Sequence, residues 1–402
     1  MGDHSTRLYR ALKSLKVKDP ALLHERMSWF NRREIPADPV FAQLLTDDEI
    51  GHIADWYRET NDAPYVGDSG LISMSIISDL ILSNEITSVV QLGHYAGFGS
   101  LIMGFILRKV SRNARLISFD IDSRMNDYSR SWIKRAGLED VVCHICVDST
   151  DPLTLQMAQA HLNSNPQLIF IDASKQFENT KKEIAMWAPH IDGFIICHDV
   201  SVHAKGTQAN GVLGVNDGMI NAGVFEDHEL LIIDPQAEKK DGYPYLDPCG
   251  LGMGVTRGRV PLPVAETSVA ELLKRKSILK PAKLADPENW FCEGGWSFSP
   301  GKLIKRAGTE GWASCFAPVE PGQALDIEVK VSGLKGAGPM ICAGGIPGTT
   351  ARSDANGVYR SRILVGNENS MVGIHADADS EFVIDHLSVS ISEELSDTAL
   401  RA

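Results

Sequence analysis

The sequence predicts an α/β fold: a doubly wound central sheet, with helices ahead of it and a β-sandwich behind it. Three observations carry this reading. From about residue 86 to 256, short runs nearly continuous in Val, Ile, Leu and Phe alternate with longer mixed segments. Residues 1–80 space their apolar side chains close to every 3.6 positions, and residues 285–392 alternate apolar and polar between Gly, Asn and Asp turns. These are the patterns of strands buried on both faces, of amphipathic helices and of half-buried strands, respectively.

The elements follow in order. ALLHERMSWFNRREI and DDEIGHIADWYRET read as helices of the N-terminal region. Residues 81–257 carry the sheet: ITSVVQL, RLISF, VVCHICV, QLIFI and GFIIC, then HELLIID and CGLGMGV. The segments between them are long enough for crossover helices, which makes the sheet doubly wound. Residues 258–284 read as a connector with one short helix bounded by prolines. LDIEVKVSGL, GPMICAGGI, YRSRILVG and FVIDHLSVSI are the strands of a jelly-roll-like sandwich over 285–392, and 393–402 is a polar tail.

Composition narrows the classes of function. The chain of 402 residues is 43% hydrophobic and 23% charged, long enough for two or three cores. A formal net charge of −13 argues against nucleic acid, whose phosphates demand Lys and Arg, and favours a small-molecule partner. Seven Cys, an odd number scattered along the chain, suggest reduced thiols, and no run is long and apolar enough for a signal or a membrane span. A cytoplasmic protein is the expectation, with a homo-oligomer left open.

The chemistry-bearing residues gather at strand ends. VVQLGHYAGFGS runs a strand through Gly93, Gly97 and Gly99 into an apolar helix, where glycine permits close backbone approach to a ligand and the helix offers free amides. The same glycines also suit an ordinary α/β turn. RLISFDID then brings Asp120 and Asp122 to a strand end, where a carboxylate can accept both hydroxyls of a ribose. VVCHICVDSTD places Asp148 and Ser149 past the next strand, as an adenine acceptor or as helix caps. QLIFIDASK delivers Asp172, with Lys175 three residues on; in the helix that follows, Phe177, Ile184 and Trp187 take one face and Lys181, Lys182 and Glu183 largely the other. GFIICHDV delivers His198 and Asp199 to the neighbouring strand end, with His203 close behind. Two carboxylates and an imidazole there can converge on one divalent cation; the alternative is a turn cap beside a packed histidine.

In that order LGHYAGFGS, FDID, VDST, FIDASKQFE, CHDV and CGLGMGV resemble the class I S-adenosylmethionine-dependent methyltransferases. They are most similar to the catechol and caffeoyl-coenzyme A O-methyltransferases and to the cephalosporin hydroxylase and macrolide-sugar methyltransferase group. The resemblance covers about residues 64–256 and implies a seven-stranded, Rossmann-like sheet whose last strand is antiparallel. It implies a cofactor cradle of Gly93, Tyr95, Gly97, Gly99 and Ser100, a ribose ligand in Asp120 and an adenine border in Asp148 and Ser149. Asp172 borders the cofactor and, with His198 and Asp199, is the candidate ligand set for Mg2+ or Mn2+. Lys175 and His198 are the candidates for removing the proton of the acceptor hydroxyl; a lysine does so only if its usual pKa of about 10.4 is lowered. Two positions depart from the family pattern: Gln91 stands where an acid is common, and His198 with Asp199 where Asp-Asn or Glu-Asp is more usual.

The implied reaction is transfer of the sulfonium methyl to a hydroxyl of a small molecule, sugar or glycan. The glycan follows from the sandwich, which resembles carbohydrate-binding modules in its strand pattern and its closing FVIDHLSVSI; its Trp290, Phe291, Trp296, Phe298 and Trp312 can stack on sugar rings, although core packing accounts for such residues more readily. Two other classes compete. One is a non-catalytic glycan-binding or scaffolding protein; the other is a nicotinamide-dependent oxidoreductase, against which the glycine spacing and IDASK speak.

Overall fold

The computed structural model describes residues 6–31, 37–63, 65, 67, 69–162, 164–200, 207–208, 211–212, 214–225, 229–233, 250–258, 260–263, 277–279, 290–299, 301–317, 319–345, 350–352, 355–367 and 371–392. His203, most of the connector with its expected helix, and the tail lie outside these residues. The chain divides into two compact units, one of residues 1–120, 125–145 and 149–266, the other of 121–124, 146–148 and 267–402.

The first unit opens with short helices, α1 Arg7–Lys13, α2 Pro20–Arg26, α3 Ser28–Asn31 and α4 Val40–Leu44, and then the longer α5 Asp47–Asp62. A reciprocal cap starts α5: Glu49 N–H donates to Thr46 Oγ1 (3.2 Å) while Thr46 N–H donates to Glu49 Oε2 (2.8 Å), satisfying two amides a helix start leaves open. Ile50, Ile53, Trp56 and Tyr57 form its buried face. They join a hydrophobic core that runs from Leu8 and Phe41 to Val89, Ile102 and Phe170, so the N-terminal helices share the core of the sheet they precede.

Next come α6 Gly70–Ser83, β1 Ser88–Leu92, α7 Phe98–Val110, β2 Arg115–Asp120, α8 Ser123–Arg135, β3 Val142–Cys146, α9 Leu153–Leu162, β4 Leu168–Ile171, α10 Phe177–Trp187, β5 Asp192–His198, α11 Val215–Ile220, β6 Leu230–Ile233 and β7 Leu251–Arg257. The seven strands order as β3-β2-β1-β4-β5-β7-β6. β1 pairs in parallel with β2 and β4, and β4 with β5, whereas β7 inserts antiparallel between β5 and β6. This is the expected Rossmann-like sheet with its reversed final strand. β1 and β4 are buried at every position, as two-sided helical cover requires. Because β1 is flanked by β2 and β4, which leave it in opposite directions along the sheet, the loops after β1, β2, β4 and β5 open on one edge, where such sheets bind ligands.

One expectation fails in α10. Glu183 is fully buried along with Thr180, Ile184 and Trp187, because the apolar face is wide enough to include its position, and its carboxylate accepts the Ser149 hydroxyl.

The second unit contains antiparallel strands β8 Ser277–Leu279, β9 Phe291–Cys292, β10 Trp296–Ser299, β11 Lys302–Lys305, β12 Gly311–Phe316, β13 Ala324–Lys335, β14 Met340–Ala343, β15 Ala351–Arg352, β16 Gly357–Leu364, β17 Met371–Ala376 and β18 Glu381–Ile391. One sheet orders β10-β11-β18-β13-β16, with β8 also on β18; the other orders β9-β12-β17-β14-β15. Both feed one core, Leu325, Ile327, Phe382 and Leu387 from the first meeting Ala313, Ile341, Val372 and Ile374 from the second, which makes this a β-sandwich. Trp290 and Trp296 belong to that core and Phe298 packs against it. Trp312 is half-buried beside His375, its ring centroid 4.9 Å away. No helix among the described residues is long and apolar enough to cross a membrane.

Candidate functional site

The site begins where β1 ends. Gly93 has φ +81°, and a Cβ there would lie 2.4 Å from the Asp172 carbonyl oxygen, so the turn needs glycine on both counts. Beyond it, one oxygen of Asp120 accepts the backbone N–H groups of His94 (2.9 Å) and Tyr95 (2.8 Å), clamping β2 to the turn after β1. That clamp holds Tyr95 at φ +42°, a conformation rare for a tyrosine. Gly97, at φ +90°, caps α7 and lets the turn approach Ser129. Behind the turn, Gln91 donates to the Gly93 carbonyl (3.1 Å) and accepts from the Ser100 hydroxyl (2.6 Å). The Gln91 amide thus ties the turn to the first turn of α7.

The charged part stands at the ends of β4 and β5. Asp172 follows β4 directly; His198 closes β5 and Asp199 follows it in the left-handed region at φ +64°, which a short carboxylate tolerates better than most side chains. Lys175 Nζ contacts Asp172 Oδ1 and lies 2.9 Å from Asp199 Oδ2. His198 Nδ1 is 3.3 Å from an oxygen of each carboxylate. The other oxygen of Asp172 accepts the Ser69 hydroxyl at 2.7 Å. Burial works to raise the pKa of both carboxyls, but Lys175 and His198 outweigh it and hold both below the ordinary carboxylate range. Burial alone would lower the Lys175 pKa; the two carboxylates reverse that and raise it. This is opposite in sign to the shift a lysine base requires.

Both parts face one cavity of about 360 Å³, lined by Gly93, Tyr95 and Gly99 of the turn, Asp172, Lys175, His198 and Asp199 of the cluster, and Trp56, Gly67 and Ser69 from the N-terminal helices and the segment before α6. The last three were not legible in sequence. Trp56 also donates its indole N–H to the Ala96 carbonyl of the turn at 2.8 Å and packs on Phe98.

Other candidates stand back from the cavity. Ser100 is fully buried and engaged with Gln91, and Gly97 serves the turn's packing. Asp120 acts on the turn's amides and is not among the lining residues. Asp148 is half-buried in the turn after β3, and Ser149, buried, donates to Glu183. Beneath the turn His94 stacks on His144 with ring centroids 4.1 Å apart, their Nδ1 atoms on Ser118 (2.9 Å) and Ser129 (2.8 Å). Burial, with a contribution from Arg130, lowers the His94 pKa to about 3 and that of His144 well below its ordinary value.

Residues 90–200 match the family profile described as a methyltransferase domain. No curated protein matches the chain. Among solved structures, the chain is similar to an O-methyltransferase from Bacillus cereus in complex with SAH, at 17% identity over 52% of this chain and 91% of that one, with a TM-score of 0.41. It is similar to the SAH-bound methyltransferase PaMTH1 of Podospora anserina, at 16% identity over 61% and 99% of the two chains, TM-score 0.40. A third is the O-methyltransferase TomG of Streptomyces achromogenes, involved in tomaymycin synthesis and solved with SAM, at 15% identity over 58% and 99%, TM-score 0.39.

Proposed function

We propose that the chain, which carries a methyltransferase domain over residues 90–200, transfers the methyl group of S-adenosylmethionine to a hydroxyl oxygen of a small molecule or sugar. One observation carries this reading: the glycine turn and the Asp172–Lys175–His198–Asp199 cluster line the same cavity, as a donor cradle beside an acceptor site should. Gly93, Tyr95 and Gly99 would hold the methionine side of the cofactor, where the clamped turn allows close backbone approach, with Gly97 shaping that turn from behind. Asp120 would accept from the ribose hydroxyls with the carboxylate that orders the turn, and Ser149 and Asp148 would border adenine.

In-line methyl transfer needs an oriented oxygen nucleophile and a place for its proton. In this reading His198 would take that proton, and Lys175, paired with two carboxylates, would supply positive charge beside the acceptor oxygen. Donor atoms of Asp172, His198 and Asp199 lie within 4.8 Å of one another, and two carboxylates with an imidazole fit Mg2+ or Mn2+. A cation held there would acidify the acceptor hydroxyl.

The test is calorimetry and thermal unfolding with S-adenosylhomocysteine, with NAD as the control, followed by a methyl-transfer screen over phenolic, aliphatic and sugar hydroxyls. Stabilisation by S-adenosylhomocysteine and not by NAD is expected. Stabilisation by NAD alone would point to an oxidoreductase. Glycan binding without any transfer would point to a binding protein.

A further inference from the structure

The cluster contains two anchored carboxylates and one cation on a long tether. Asp172 is held through its second oxygen by the Ser69 hydroxyl at 2.7 Å, and Asp199 is aimed by its left-handed backbone. Lys175 reaches between them on four methylenes, and its side chain keeps 20% exposure toward the cavity. It meets Asp172 Oδ1 directly and Asp199 Oδ2 at 2.9 Å, and the His198 nitrogen lies 3.3 Å from both carboxylates. A divalent cation bound by these same donors at about 2.0–2.6 Å would have to sit inside the triangle they form. The ammonium already contacts two of the three donors, and Lys175 also lines the cavity.

Charge decides whether both can stay. Two carboxylates and one ammonium leave the cluster with a single negative charge. A divalent cation added beside the ammonium would reverse that sign, with two positive centres about 3–4 Å apart in a largely buried site, where repulsion is several times stronger than in water. Exchange of one for the other avoids that crowding, because the cation would take up the same carboxylate oxygens that the ammonium now contacts.

We infer that Lys175 and a divalent cation are alternative occupants of one site, so that loading the metal displaces the lysine from Asp172 and Asp199 into the cavity. The inference deepens the proposed function and rests on its reading of the cluster as a cation-holding acceptor site. It makes Lys175 a positioning residue for the carboxylates in the metal-free protein and a side chain released toward the cavity in the metal-loaded one.

The experiment is a titration of chelator-treated, full-length protein with Mn2+, with free ion read by electron paramagnetic resonance. Lys175→Met should bind one Mn2+ at least about tenfold more tightly than wild type, because a repelling charge has gone. Lys175→Arg, which keeps the charge, should show no such gain. In a second measurement on wild-type protein, reductive methylation followed by peptide mass spectrometry should show labelling of Lys175 rising at Mn2+ concentrations that saturate the site. A folded Lys175→Met protein that binds Mn2+ no more tightly overturns the inference, as does unchanged Lys175 labelling in the loaded protein or no Mn2+ site in any form. If Lys175→Met does not fold, the labelling decides alone. S-adenosylhomocysteine calorimetry on the same samples separates the two claims: absent cofactor binding removes the transferase reading and leaves the exchange result standing.

Discussion

Replacing Asp120 by Ala tests the link between turn geometry and cofactor affinity. The carboxylate accepts two backbone N–H groups, at 2.9 and 2.8 Å, one of them from Tyr95, whose positive φ relaxes once the clamp is lost. A hydrogen bond to a charged group contributes about 1.5–3 kcal/mol; since water can reach Tyr95, which is 37% exposed, only part of each bond is lost outright. Removing the proposed ribose contact as well gives an expected loss of about 2–4 kcal/mol in S-adenosylhomocysteine binding, or roughly 30- to 1,000-fold in Kd. Asp120→Asn keeps an acceptor for the turn and loses the charge, so its loss should be the smaller of the two. Isothermal calorimetry on both variants, with circular dichroism to confirm folding, reads this directly. Affinities within about threefold of wild type for both would refute the role of Asp120 and the location of the ribose.

Gly93→Ala should abolish methyl transfer and lower the unfolding temperature, because the new Cβ would lie 2.4 Å from the Asp172 carbonyl and the residue would keep a positive φ; an active, stable variant counts against the turn's geometry. The buried histidine pair predicts acid sensitivity: with the folded pKa of His94 near 3 against an ordinary 6.5, the unfolded chain binds more protons between those values, so stability present above about pH 6.5 should drain as pH falls toward 3. Urea midpoints at pH 7.5 and 5.5 should therefore differ in wild type and less so in His94→Phe/His144→Phe. The depressed carboxyls of Asp172 and Asp199 act in the same sense at lower pH, their contribution being complete above the unfolded carboxylate range and lost as pH drops through the folded values. Finally, residues 267–402, which include the strand Ser277–Leu279 that pairs with β18, should melt cooperatively as a β-rich unit when expressed alone, and residues 1–266 should keep S-adenosylhomocysteine binding; an insoluble or cofactor-blind long fragment would refute that boundary.

Much of this architecture is legible from apolar run length. VVQL and LIFI read as two-sided strands because every position in them is buried, and the convergence of Asp172 with His198 and Asp199 follows once their strands are neighbours. What escapes is whatever depends on distant partners or on the width of a helix face. Ser69 reaches Asp172 across 103 residues and Trp56 reaches Ala96 across 40, and neither contact leaves a periodic trace. Glu183 reads as surface because it is charged, and is buried because Ser149 offers it a hydroxyl. The role of Asp120 as a clamp on the turn is equally silent, since backbone amides carry no sequence signature.

The indole of Trp56 extends the glycine turn's mechanics into the N-terminal helices. One face of its helix is locked into the core, the Arg26 guanidinium lies 5.1 Å from its ring, and its N–H holds the Ala96 carbonyl of the turn. A turn tied to α5 at one point and to β2 at another cannot reorganise around a ligand without both elements registering it. If the cofactor binds at that turn as proposed, reciprocity requires that any protection binding gives α5 against local opening be matched, when α5 is loosened, by an equal loss of cofactor affinity. Amide hydrogen exchange along Ile50–Thr60, with and without S-adenosylhomocysteine, would read that coupling from the helix whose Trp56 lines the cavity.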